Sequence, residues 1–149
     1  MKARSAAAGF TLIELIVSIV VLAIATASVL GMLSAVSARS ATAMVSQQAT
    51  VIASAYLNEV LQKPFGVSDG QTARALLDVV DDYAGLVDVG VHDQTGTAIA
   101  GLSQYTVSIA VMAGTLPGVP AAQQREVDVT VTHSSGVTVV VSGYRTAYP

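Results

Sequence analysis

The twenty-four residues from Leu15 to Ala38 carry no charged side chain, and Glu14 is the only charge in the stretch from Phe10 to Leu33. About 20 consecutive apolar residues cross a bilayer hydrocarbon core of roughly 30 Å as a helix. The stretch therefore predicts a membrane-inserting helix near the N-terminus. The preceding segment holds Lys2 and Arg4 and no acid, a bias that keeps this end on the cytoplasmic side and places the rest of the chain across the membrane. Glu14 is costly in such a segment, because a carboxylate in lipid must find a partner or lose its charge. Cleavage as a signal peptide after Ala25-Thr26-Ala27, a small-x-small sequence, is one reading of the region. A plain signal anchor is another. Neither gives Glu14 a purpose.

Composition narrows what lies beyond. A chain of 149 residues holds one domain of ordinary size. Only 11% of it is charged against 52% hydrophobic, and much of that excess belongs to the first 38 residues. The net charge is −3, without a run of basic residues, which disfavours nucleic-acid binding. Absence of cysteine excludes disulfides, CxxC redox pairs and thiolate metal sites.

Gly9-Phe10-Thr11-Leu12-Ile13-Glu14, set behind a short basic leader and ahead of the long apolar run, resembles the processing site of the type IV pilin family, which includes the pseudopilins of type II secretion. The resemblance covers Met1 to about Leu30. It implies that a membrane prepilin peptidase cuts between Gly9 and Phe10 and N-methylates Phe10. It also implies a role for Glu14. Cleavage leaves a cationic amine on Phe10, and in a filament core with little water a lone carboxylate or a lone ammonium is expensive. Paired between neighbouring subunits, each offsets the other. Loss of one partner costs more than the pair gains, so Glu14 would act as a register device.

The helical pattern continues past the apolar run. Val45, Ala49, Ile52, Tyr56 and Val60 recur at spacings of four, three, four and four, which is one helical face. Lys63 suits a last turn, and Pro64 ends the run. A helix from Phe10 to Lys63 would be about 80 Å long at 1.5 Å per residue. Gly31 lies where many major pilins carry a helix-kinking proline. Glycine weakens a helix by about 1 kcal/mol without breaking it. A straighter helix, local melting on assembly and a small residue for close helix packing all remain open there.

From Pro64 to Asp82 turn residues predict a loop, with a short helix over Thr72 to Val80. Leu86 to His92 and Tyr105 to Val111 read as strands. Asp93 to Gly96 reads as a turn, and Gly114 to Pro120 as a loop. Val127 to Thr132 and Val137 to Val141 flank His133-Ser134-Ser135-Gly136, the clearest hairpin in the chain. The expected fold is α+β: a long N-terminal helix, membrane-spanning in its first half, packed against a small antiparallel sheet. The expected division is a leader at 1–9, a membrane and filament-core helix at 10–33, an amphipathic second half at 34–64 and a β-rich head at 65–149.

Little points to catalysis. His92 and His133 are the only histidines and lack a third nitrogen or thiolate for zinc. No GxSxG elbow and no phosphate-cradling glycine motif occurs. Asp81, Asp82 and Asp88 are a weak calcium candidate without the EF-hand pattern, set against a solvated acidic loop. No enzyme, no cofactor and no metal site is expected.

Two further stretches refine the resemblance. Gln47 to Phe65 and Asp78 to Gly85 are similar to minor pilins of the mannose-sensitive haemagglutinin type, the D-type subunit, and leave room for the V-type minor pilins and the I-type pseudopilins, which share the long helix and small head. Major pilins commonly close a C-terminal loop with a disulfide, which this chain cannot form. The family reading implies a minor type IV pilin involved in assembly, initiation or the tip of the pilus, with a type II secretion pseudopilin as the alternative. Its partners would be the prepilin peptidase/methyltransferase, other pilin or pseudopilin subunits and an inner-membrane assembly platform. Its location would be the bacterial inner membrane, N-terminus cytoplasmic and head periplasmic, and then the pilus or pseudopilus. A non-polymerising, membrane-anchored binding domain is the alternative of another class.

Overall fold

The computed structural model describes residue 9 and residues 11–147. The leader at 1–8, Phe10 and the last two residues lie outside that range. One long helix, α1 (Leu12–Gln62), comes first, and the strands β1 (Val87–Val89), β2 (Tyr105–Ala113), β3 (Gln124–His133) and β4 (Thr138–Thr146) follow. The fold is α+β. The described residues fall into two compact units, 1–41 and 42–149.

In the first unit every side chain described from Thr11 to Ser37 is exposed. Leu12, Ile13, Met32 and Leu33 each leave more than half their surface open. Residues of this kind seek burial in lipid or against other helices. The few hydroxyls fold back onto the backbone: Ser18 Oγ donates to Glu14 O at 2.7 Å, and Ser28 Oγ to Ile24 O at 2.9 Å. Gly31 is helical, with nothing within 4 Å of where a Cβ would stand.

In the second unit the remainder of α1 covers one face of the sheet. Ala49, Ile52, Tyr56 and Val60 are buried, as their spacing predicts, and Ala53 and Leu57 widen the stripe. They meet Val107, Ile109, Val127, Val129 and Val131 of the sheet in a single core. Tyr105 donates its hydroxyl hydrogen to Gln48 Oε1 at 2.8 Å, which fixes where the helix crosses the start of β2. Further along, Leu57 and Leu61 pass over Gly143 of β4, so closely that a Cβ there would stand 3.0 Å from Leu61 Cδ1.

The sheet is antiparallel throughout, in the order β1-β2-β3-β4. The hairpin between β3 and β4 turns at Gly136, whose φ of +89° is readily open only to glycine. Gly136 N donates to His133 O at 2.9 Å across it. Two expectations are corrected. The strand predicted from Leu86 to His92 is only Val87–Val89, because Gly90 adopts a φ of +84° and turns the chain out of extended geometry. The predicted helix over Thr72 to Val80 is replaced by two short 3-10 turns, Arg74–Leu76 and Val80–Tyr83. Arg74 and Tyr83 are drawn inward instead to meet charged and polar partners.

Candidate processing and assembly site

Gly9 is exposed, and a Cβ built on it meets nothing within 4 Å. Phe10, the expected methylation site, lies outside the described residues. Thr11 directly precedes α1, and its hydroxyl oxygen accepts the Glu14 N–H at 3.3 Å. Leu15 N donates to Thr11 O at 3.2 Å, the first turn of the helix. Thr11 thus serves as an N-cap, satisfying one of the donors that every helix start leaves open. Glu14 falls in the first turn, where the positive end of the helix dipole favours a carboxylate. Among the described residues no side chain bonds to the Glu14 carboxylate. The threonine-to-glutamate spacing of a cap is a signal in the sequence itself. It gives Glu14 a local place at the start of the helix.

The acidic residues of the head are not gathered into one site. Asp81 holds Arg125 bidentately, with bonds of 2.8 and 3.0 Å from Nε and Nη2. Asp82 accepts the backbone N–H groups of Asp78 and Val79 through one carboxylate oxygen. Asp88 belongs to a different cluster, around Arg74. The three calcium candidates therefore face different partners. Among the described residues no group of three or more histidine, aspartate or glutamate side chains is placed to hold a metal ion. His92 lies beside Gly90 O and 3.9 Å from Asp88 Oδ2. At the hairpin turn, His133 Nδ1 pairs with Ser135.

The Arg74 cluster was not foreseen. Its guanidinium bonds Glu59 Oε2 at 2.8 Å and Asp88 Oδ2, and Nε donates to Asp93 O at 2.8 Å. Tyr83 donates to the other Glu59 oxygen at 2.9 Å, and Tyr56 donates to Asp88 Oδ2 at 2.8 Å. The Tyr56 ring lies 4.5 Å under the Arg74 guanidinium. One cation thus faces two carboxylates, and two phenols supply additional donors to them. Burial pushes the Tyr56 phenol up from 10.0 to about 12, and burial followed by the bond to Glu59 pushes Tyr83 up as well. Both phenols stay protonated at neutral pH and act as donors. A clue was available: Arg74 is the only cation between Lys63 and Arg125, amid a surplus of aspartates.

The arrangement ties α1 to the segment after it and to β1. Arg74, Glu59, Asp88 and the phenols are mutually satisfied, and the N-terminal unit presents an apolar surface with one carboxylate. Residues 4–36 match the family model described as the prokaryotic N-terminal methylation motif. No curated protein and no solved structure matches the chain.

Proposed function

We propose, from the premise that this chain carries the N-terminal methylation segment of the type IV pilin and pseudopilin family, that it is a minor type IV pilin. The motif marks a structural subunit rather than an enzyme, one that is processed by a prepilin peptidase and assembles with other pilin-type subunits. In this reading the peptidase cuts between Gly9 and Phe10 and methylates Phe10. The segment 10–33 anchors the subunit in the inner membrane, N-terminus cytoplasmic, until an assembly platform draws it into the filament. The head beyond residue 64 is then periplasmic, and the subunit acts in assembly, initiation or at the pilus tip.

One observation carries the reading: the first half of α1 is exposed and apolar, and it opens with a capped first turn and a single carboxylate, Glu14, five residues beyond Gly9. A plain anchor gains from that carboxylate only the local favour of its own helix start. A subunit whose neighbour presents a new N-terminal amine gains more, because the attraction between the two charges offsets part of the desolvation penalty that either would bear alone.

The test is Glu14→Ala in the native host. The expected result is a subunit that is inserted and starts at N-methyl-Phe10 by mass and N-terminal sequencing, yet is missing from sheared pili. A variant that enters pili as well as the parent chain overturns the assembly role. An N-terminus at Ser28 overturns the reading entirely.

A further inference from the structure

The two edges of the sheet differ from its middle, and from what an isolated head requires. In β3 and β4 the bonds His133 N to Val137 O and Ala147 N to Gln123 O, both 2.8 Å, fix the ladder phase. In an antiparallel pair, bonded and non-bonded residues alternate. Thr138, Val140, Ser142 and Tyr144 therefore turn their N–H and C=O groups away from β3, toward the open edge. At the other edge, Gly90 N to Tyr105 O and Ile109 N to Leu86 O bracket β1, which leaves Val87 and Val89 facing outward in the same way. No hydrogen bond among the described residues reaches either outward row.

The side chains repeat the pattern. On the sheet face opposite α1, the inner strands carry polar residues such as Thr106, Ser108, Asp128 and Thr130. The edges carry Val87 (59% exposed), Val89 (76%), Val140 (55%) and Tyr144 (39%). Sheets guard their edges with lysine and other charges, proline, bulges or very short edge strands. Neither Val87–Val89 nor Thr138–Thr146 contains a lysine or a proline, and β4 is nine residues long, although β1 is short and turns Asp88 inward.

We infer that the head joins a second copy of itself edge to edge, β4 of one against β1 of the next, so that the sheet continues across the pair. Four antiparallel strands place β1 and β4 in opposite directions, so β1 of a copy in the same orientation meets β4 in antiparallel fashion. Val89 then faces Val140 and Val87 faces Ser142, all four being outward-bonding residues on the same sheet face. Tyr144 lies diagonal to Val87, and cross-strand pairs of this type stabilise sheets. Each outward residue adds one donor and one acceptor. The contact is heterologous and open-ended, the kind that builds filaments. The competing two-fold pairing of β4 with its own copy reverses the second helical wall, because α1 lies along the sheet from Tyr105 to Gly143. The inference rests on the reading of the chain as a subunit whose copies stand side by side in one membrane, where a short edge contact is favoured by effective concentration.

The test uses the full chain in native membranes. It contains no cysteine, so introduced pairs are unambiguous. Val89→Cys and Val140→Cys are made singly and together, oxidised with copper phenanthroline and run without reductant, and the N-terminus is sequenced in the same sample. The expected result is a ladder from the double variant, dimers from the mixed singles and none from either single alone. Ser142→Pro, whose lost N–H faces outward, should abolish the ladder with head melting unchanged. Dimers from Val140→Cys alone, a ladder that survives Ser142→Pro, or the absence of any Val89–Val140 link each overturns the inference. A start at Phe10 in that sample leaves the pilin reading standing; an uncleaved or Ser28 start removes it separately.

Discussion

Arg74 Nη2 and Glu59 Oε2 stand 2.8 Å apart, with the two side chains 6% and 8% exposed. A residue of α1 and the first residue of a short 3-10 turn thereby form an ion pair away from water. The pair is kept favourable by what surrounds it: Asp88, the Asp93 carbonyl and the hydroxyls of Tyr56 and Tyr83. Removal of one member of a buried pair leaves the other charged and unsolvated, at a cost of about 3–5 kcal/mol.

Arg74→Met should therefore destabilise the head by about that amount, a large part of the ~5–15 kcal/mol that a domain commonly possesses. Thermal unfolding followed by tyrosine near-ultraviolet signal checks it. A shift in melting temperature no larger than that of a surface substitution would show that the cluster is not a tie.

Alkali should unfold the head through its phenols. The fold raises Tyr56 from 10.0 to about 12, with burial the leading cause. A group raised in the folded state contributes stability that is fully present below its unfolded pKa and is lost as pH rises through the folded one. Stability should accordingly fall across pH 10.0 to about 12, and Tyr83 acts in the same direction. Denaturant midpoints measured over that range test it, and Tyr56→Phe should flatten the decline.

Gly143 is a packing glycine. A Cβ there would come 3.0 Å from Leu61 Cδ1 and 3.2 Å from Leu57 Cδ1, closer than side chains settle. Gly143→Val should lift α1 from β4 and cost about 1–3 kcal/mol. Gly143→Val paired with Leu61→Ala should recover part of the loss in the same melting experiment.

Thr11 caps the helix that carries Glu14. Thr11→Ala should weaken the first turn by about 1 kcal/mol, seen as faster amide exchange at Glu14 in detergent micelles, with the amides of Tyr56 to Val60 unchanged. Thr11→Ser should restore protection. Equal exchange in Thr11→Ala and the parent would show that the cap carries no weight.

The local elements were legible because they depend on period and punctuation. The face from Ala49 to Val60 and the hairpin at Gly136 lie where spacing and turn chemistry put them. Where one residue overrides a period, the reading slipped. Gly90 ends β1 three residues after it begins, although Val91 continues the apolar alternation. Between Thr72 and Tyr83 the segment gives up helix to bring Arg74 and Tyr83 to Glu59.

By itself the sequence determined the apolar helix, the N-terminal methylation motif over residues 4–36 and the α+β class, since each depends on neighbours within a few turns or strands. Only the tertiary structure decided which aspartate meets which arginine, because Asp81 and Arg125, or Glu59 and Arg74, become neighbours through chain reversals that no local pattern encodes. It also decided which edges of the sheet stay open. An unpaired N–H is a property of the strand that is absent beside it, and that absence is written in no single segment of the chain.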